Sequence, residues 1–155
     1  MRFQARGFTL IELLVVMTIM TIMAGLATPT LQSFVAAQRV KTAASDFALT
    51  AVFARSEAIK RNTNVSVVAA TGGWQDGWTV QLGTDSLSTQ QPYKRVVMTE
   101  TSGLTQIVYQ GSGRLTGSAL SLKVQDDIGG SDSDSRSRCV SFDLSGLPKT
   151  RKGAC

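Results

Sequence analysis

The chain has 155 residues with 16 basic and 11 acidic side chains, a formal net charge of +5, two cysteines and no histidine. That length allows one modest domain plus a separate terminal element. The missing histidines exclude His-based triads and the commonest general base and metal ligand, and the charge falls far short of a histone-like nucleic-acid partner.

The first element is an apolar run. Phe8 to Ala27 supplies about 20 residues, the length a helix needs to cross a bilayer. Glu12 is its one charged residue. An unpaired carboxylate at a bilayer centre costs about 2.5–3.5 kcal/mol, so Glu12 calls for a cationic partner or a place near the headgroups. Ahead of the run, Arg2 and Arg6 hold the N-terminus on the cytoplasmic side by the positive-inside rule. An ordinary secretory signal ends in a small-residue cleavage site after its apolar segment. Ala24-Gly25-Leu26 and Leu26-Ala27-Thr28 fit that role poorly.

Gly7-Phe8-Thr9-Leu10-Ile11-Glu12 instead resembles the class III signal of type IV prepilins and type II secretion pseudopilins. The resemblance implies that a prepilin peptidase cuts between Gly7 and Phe8 and that the new Phe8 amine is methylated. It also implies that Glu12 pairs with the N-terminus of a neighbouring subunit during assembly. Residues 1–7 are then a leader and 8–27 the transmembrane half of a long helix. The chain would sit in a bacterial inner membrane before assembly, with its globular part in the periplasm and other pilins as partners through the helix. Loss of Arg2 and Arg6 leaves the mature side chains at 14 − 11 = +3.

Beyond the run, Leu31, Phe34, Val35, Val40, Ala43, Ala44, Phe47, Ala51, Ala54 and Ala58 recur at three- and four-residue steps. They form one Ala-rich apolar stripe, so 28–62 is expected to be the amphipathic half of the same helix, kinked by Pro29. Its end is expected at Arg61-Asn62-Thr63-Asn64, where basic residues meet the negative helix end and Asn leaves the helical conformation. Six strands are expected in 63–155: Val65–Ala70, Gly77–Leu82, Lys94–Thr99, Gln106–Tyr109, Ala119–Val124 and Cys139–Leu144, with Gly83–Pro92 a polar loop. One long helix followed by short strands reads as α+β, a sheet or sandwich packed on the helix.

Gly77-Trp78, then Tyr109-Gln110-Gly111-Ser112-Gly113-Arg114-Leu115, then a terminal strand, are similar to the H-type pseudopilins and the FimT/FimU-like minor pilins. That resemblance implies the type IV pilin fold. Two functions follow from it. One is a minor type IV pilin of an assembly or tip complex, binding DNA for uptake through a basic C-terminal end. The alternative is an H-type minor pseudopilin of type II secretion.

The C-terminal residues carry the other candidate chemistry. Cys139 and Cys155, an even count in an exported domain, read as one disulfide worth about 3 kcal/mol for a loop of this size. That bridge would gather Arg136, Arg138, Lys149, Arg151 and Lys152 into a surface for phosphates. In FimT-like proteins a Gly-Arg element lies there; here Leu147 follows Gly146. Asp126 to Ser135 is an acidic Gly/Ser loop with oxygen ligands of the calcium type, read first as a mobile surface loop. Trp74 and Trp78 suggest a carbohydrate or peptide platform, but an aromatic at a strand start is more often core, and Trp78 is read so. No nucleophile has a base partner, so neither an enzyme nor a cofactor is expected.

Overall fold

The computed structural model describes residues 8–117, 119–130 and 133–155, with residues 26–30 as backbone only. The chain divides into two compact units, Met1–Val35 and Ala36–Cys155. A single helix, α1, spans Leu10–Arg61.

Thr9 caps its start: the Thr9 Oγ1 accepts from the Glu12 amide at 3.2 Å. Thr9-Leu10-Ile11-Glu12 therefore has the form of a capping box, and Glu12 lies at the positive end of the helix. Within the first unit every described apolar side chain from Phe8 to Met23 is exposed, Phe8 at 83% and Leu10 at 84%. Thr18 and Thr21 turn their hydroxyls back onto the carbonyls of Leu14 and Met17, both at 2.8 Å, so neither needs water. Among the described residues no stretch of helix is both long and apolar enough to cross a membrane. Leu10 to Gly25 would span about 24 Å against a hydrocarbon core of about 30 Å. Residues 26 and 27, which complete the expected run, lie outside the described side chains, as the leader 1–7 lies outside the described residues.

The second unit starts within the helix. Val40, Ala43, Ala44, Phe47, Ala51, Ala54 and Ala58 of the expected stripe are all buried, and Ala36 joins them, whereas Leu31, Phe34 and Val35, expected on the same stripe, are exposed because the buried face begins only at Ala36. The helix ends in a Schellman motif: Asn62 takes φ 50°, Asn62 N–H donates to Ile59 O and Thr63 N–H donates to Ala58 O, both at 3.2 Å.

Eight strands follow: β1 (Val65–Ala70), β2 (Gly73–Leu82), β3 (Asp85–Gln90), β4 (Val96–Glu100), β5 (Gln106–Tyr109), β6 (Leu120–Asp126), β7 (Arg138–Phe142) and β8 (Pro148–Lys152), with a short helix α2 (Ser133–Arg136) before β7. They form two antiparallel four-stranded sheets, ordered β3-β2-β1-β5 and β4-β6-β7-β8. Two strands were not expected. Residues 85–90 lie within the expected polar loop yet pair with β2, and 148–152 pair with β7.

Helix and sheets meet at Phe47. Its ring makes edge contacts with Trp74 and Trp78 of β2 at 5.1 and 5.0 Å and with Phe142 of β7 at 5.8 Å. Both tryptophans are core, and each indole N–H is satisfied, by Leu104 O at 3.0 Å and Thr50 Oγ1 at 3.1 Å.

Candidate functional site

The expected functional residues fall in two places. The first is the start of α1, where Phe8 and Glu12 are exposed on a helix whose apolar side chains point outward all round. A helix apolar on every face is stable only inside lipid or among other helices. Gly7, the expected cleavage residue, lies outside the described residues.

The second is the hairpin of β7 and β8. Cys139 and Cys155 are joined by a disulfide with a Cα–Cα distance of 5.0 Å. The tail turns back through Gly153, whose N–H donates to Ser137 O at 3.0 Å, while Arg151 Nη2 donates to Cys155 O at 2.9 Å.

Strand geometry divides the five expected cations rather than gathering them. Register pairs Arg138 with Lys152, Cys139 with Arg151 and Ser141 with Lys149. Directly opposed residues share a face and successive residues alternate, so Arg138 and Lys152 lie on one face while Arg151 and Lys149 lie on the other. Two of the five are also paired with side-chain carboxylates. Lys149 pairs with Asp143 at 3.0 Å. The neighbouring Ser145 hydroxyl, then Lys149 and the Ser145 N–H, hold the Asp143 carboxyl down at about 2. Arg136 is set against Asp126 through Nε at 2.7 Å and Nη2 at 3.2 Å, with Nη2 also reaching Gly129 O at 2.9 Å.

These contacts tie Arg136, just after the acidic stretch, back to its start at Asp126 and to Gly129. Asp126 ends β6, is only 4% exposed, and also accepts from Ile128 N–H at 3.0 Å. The Arg136 guanidinium holds its carboxyl below the usual carboxylate range. Among the described residues of the chain, no three acidic, His or Cys side chains gather to hold a metal ion.

Gly146, placed by sequence beside the Gly-Arg element, serves packing. It has φ +80°, and a Cβ there would stand 2.6 Å from Gly113 O and 2.9 Å from the Tyr109 ring. Tyr109 donates its hydroxyl to Gly146 O at 3.1 Å, and Arg55 of α1 donates to Gly113 O at 2.9 Å. The two glycines let the β7–β8 turn, the loop after β5 and the helix close on one point. Burial pushes the Tyr109 phenol well above its ordinary pKa, so it remains a donor.

A long helix whose second part carries two antiparallel sheets is the type IV pilin fold, and solved structures of a minor pilin and of a minor pseudopilin resemble it. The type IV minor pilin FimU of Pseudomonas aeruginosa superposes with TM-score 0.62 at 18% identity, over 76% of this chain and 90% of that one. The minor pseudopilin EpsH from the Type 2 Secretion System of Vibrio cholerae gives TM-score 0.58 at 15% identity, over 74% and 97%. No curated protein matches the chain. The family described as Type II transport protein GspH matches residues 43–146, and the prokaryotic N-terminal methylation motif matches residues 2–28. The chain belongs to the family described as Type II transport protein GspH.

Proposed function

We propose that the protein is a minor type IV pilin that enters a pilus assembly or tip complex through the first part of α1. The supporting observation is the fully exposed apolar surface from Phe8 to Met23, with Glu12 as its one acid at the helix start. Lipid covers that surface before assembly, and neighbouring pilin helices cover it afterwards. Prepilin peptidase cuts after Gly7, Phe8 carries the methylated amine, and Glu12 takes the N-terminal cation of a neighbour. Glu12→Ala is expected to leave the protein in the membrane fraction but absent from sheared filaments. Normal incorporation of that variant would defeat the assembly role. The same helix suits a minor pseudopilin, as the family's description suggests. Deletion of the gene separates the two: loss of pili supports the first, loss of exoprotein secretion with intact pili the second.

A second reading, DNA binding for uptake, draws on the exposed edge strand β8, which carries Lys152 beside Arg138 on one face and Lys149 and Arg151 on the other. Binding of this kind depends on phosphate contacts and weakens as salt rises. Arg151→Ala with Lys152→Ala is expected to abolish DNA retardation in a gel at low salt; undiminished retardation would exclude β8 as the site.

A further inference from the structure

The sequence from Asn62 to Tyr93 contains no lysine, arginine or glutamate, and its only charges are Asp76 and Asp85. This segment supplies three of the four strands of the first sheet, β1, β2 and β3. One face of that sheet packs on the core through Val65, Val67, Trp78 and Val80. Register lays two cross-strand rows on its other face: Gln106, Val68, Thr79 and Thr89 in one, and Val108, Ser66, Gln81 and Ser86 in the other. The surface is uncharged, four strands wide, and built of amides, hydroxyls and two valines.

It is also hollowed. A depression of about 210 Å³ is lined by the polar side chains of Thr79, Gln81, Thr89 and Gln91, with Asp76 on its wall, and about equally by apolar groups, among them Val68, Ala69 and Ala70. Backbone geometry makes the hollow: the register shifts between Ala69 and Ala70, and Gly77, at φ +99°, lets β2 approach the Gln90 carbonyl where a Cβ would collide. Among the described residues, the side chains of Thr79, Gln81, Gln91 and Asp76 have no protein hydrogen-bond partner, while Thr89 shares its hydroxyl with Ser86 at 3.3 Å. Amides offer paired donors and acceptors, hydroxyls offer both, and the carboxylate offers acceptors only.

This chemistry selects a ligand class by elimination. Nucleic acid and other polyanions need cations, and this segment has none. An extended peptide would add to a strand edge, whereas the hollow lies on the face of the sheet, with polar side chains interleaved among apolar ones. A compact ligand rich in hydroxyl groups, without charge, matches free amides, hydroxyls and one acceptor carboxylate in a concave site. We infer that this face binds a neutral polyhydroxylated ligand, a glycan chain, independently of how the helix assembles.

The test uses the full chain in a phosphocholine detergent, since a maltoside headgroup would itself compete. Maltohexaose and chitohexaose are titrated while the side-chain amide resonances of Gln81 and Gln91 are followed by NMR. At least one sugar is expected to shift them saturably. Gln81→Ala with Thr89→Ala is expected to weaken binding at least tenfold. Asp76→Asn, a change at an exposed site, is expected to weaken it severalfold, and Lys149→Ala to leave it unchanged. Absence of a saturable shift with both sugars, or equal binding by folded Gln81/Thr89 and Asp76 variants, overturns the assignment.

Discussion

The residue with the sharpest consequence outside the helix is Arg136. Its guanidinium and the Asp126 carboxylate form a nearly buried pair, with side chains 12% and 1% exposed. Removing one partner of such a pair leaves an uncompensated charge and costs about 3–5 kcal/mol. Arg136→Ala is therefore expected to lower unfolding stability by about that amount at pH 7. Because the folded pKa of Asp126 is depressed, its stabilising contribution is complete above the unfolded value of about 3.9 and drains away as pH falls through the lower folded value. The gap between wild type and Arg136→Ala should accordingly narrow below about pH 4, where a protonated Asp126 no longer needs the cation. Urea unfolding curves at pH 7 and pH 3 check both; a gap that stays constant with pH would mean that the pair contributes by packing alone.

At the level of elements, the sequence displayed what was periodic and hid what was edge. The stripe from Val40 to Ala58 and strands such as Leu120–Asp126 bury residues at regular steps, and both were legible, whereas Leu31, Phe34 and Val35 continue the periodicity on a stretch of helix that no sheet covers. Strand β3 was not, because its Asp-Ser-Leu-Ser-Thr-Gln has one apolar residue and pairs on one side only. Strand β8 reads as a charged tail for the same reason, since Pro and Lys on an outer strand protect a free edge. Its pairing, not its composition, decides where the cations point, so the division of Lys149 and Arg151 from Arg138 and Lys152 could not be seen in advance. The Thr9 cap was equally legible, since Thr9-Leu10-Ile11-Glu12 has the spacing of a capping box. Since β8 holds only to β7 and to the tail, the Cys139–Cys155 bridge should dominate its persistence. Cys155→Ala, which leaves the buried Cys139 in place, is expected to cost about 3 kcal/mol and to expose Lys149–Lys152 to trypsin. Reductant should reproduce that loss in wild type and do nothing further to the variant.

For the whole molecule, the two units divide the labour of stability and assembly. Every buried side chain of the described residues lies at or beyond Ala36, and the core joins helix, first sheet and second sheet through Phe47. The unit before Ala36 contributes exposed apolar surface and no core. Burying that surface is favourable by roughly 25 cal/mol per Å², so it drives association with lipid or other helices and does nothing for the fold of the second unit. Deleting residues 1–35 is therefore expected to leave the unfolding free energy within about 0.5 kcal/mol of the full chain, as for changes away from the core. It should also convert a detergent-dependent protein into a monomer in plain buffer. Urea unfolding of both forms, with sedimentation of the truncated one, measures the two effects separately. A large loss of stability would show that the early helix supports the fold, and persistent association of the truncated form would place an assembly surface within Ala36–Cys155.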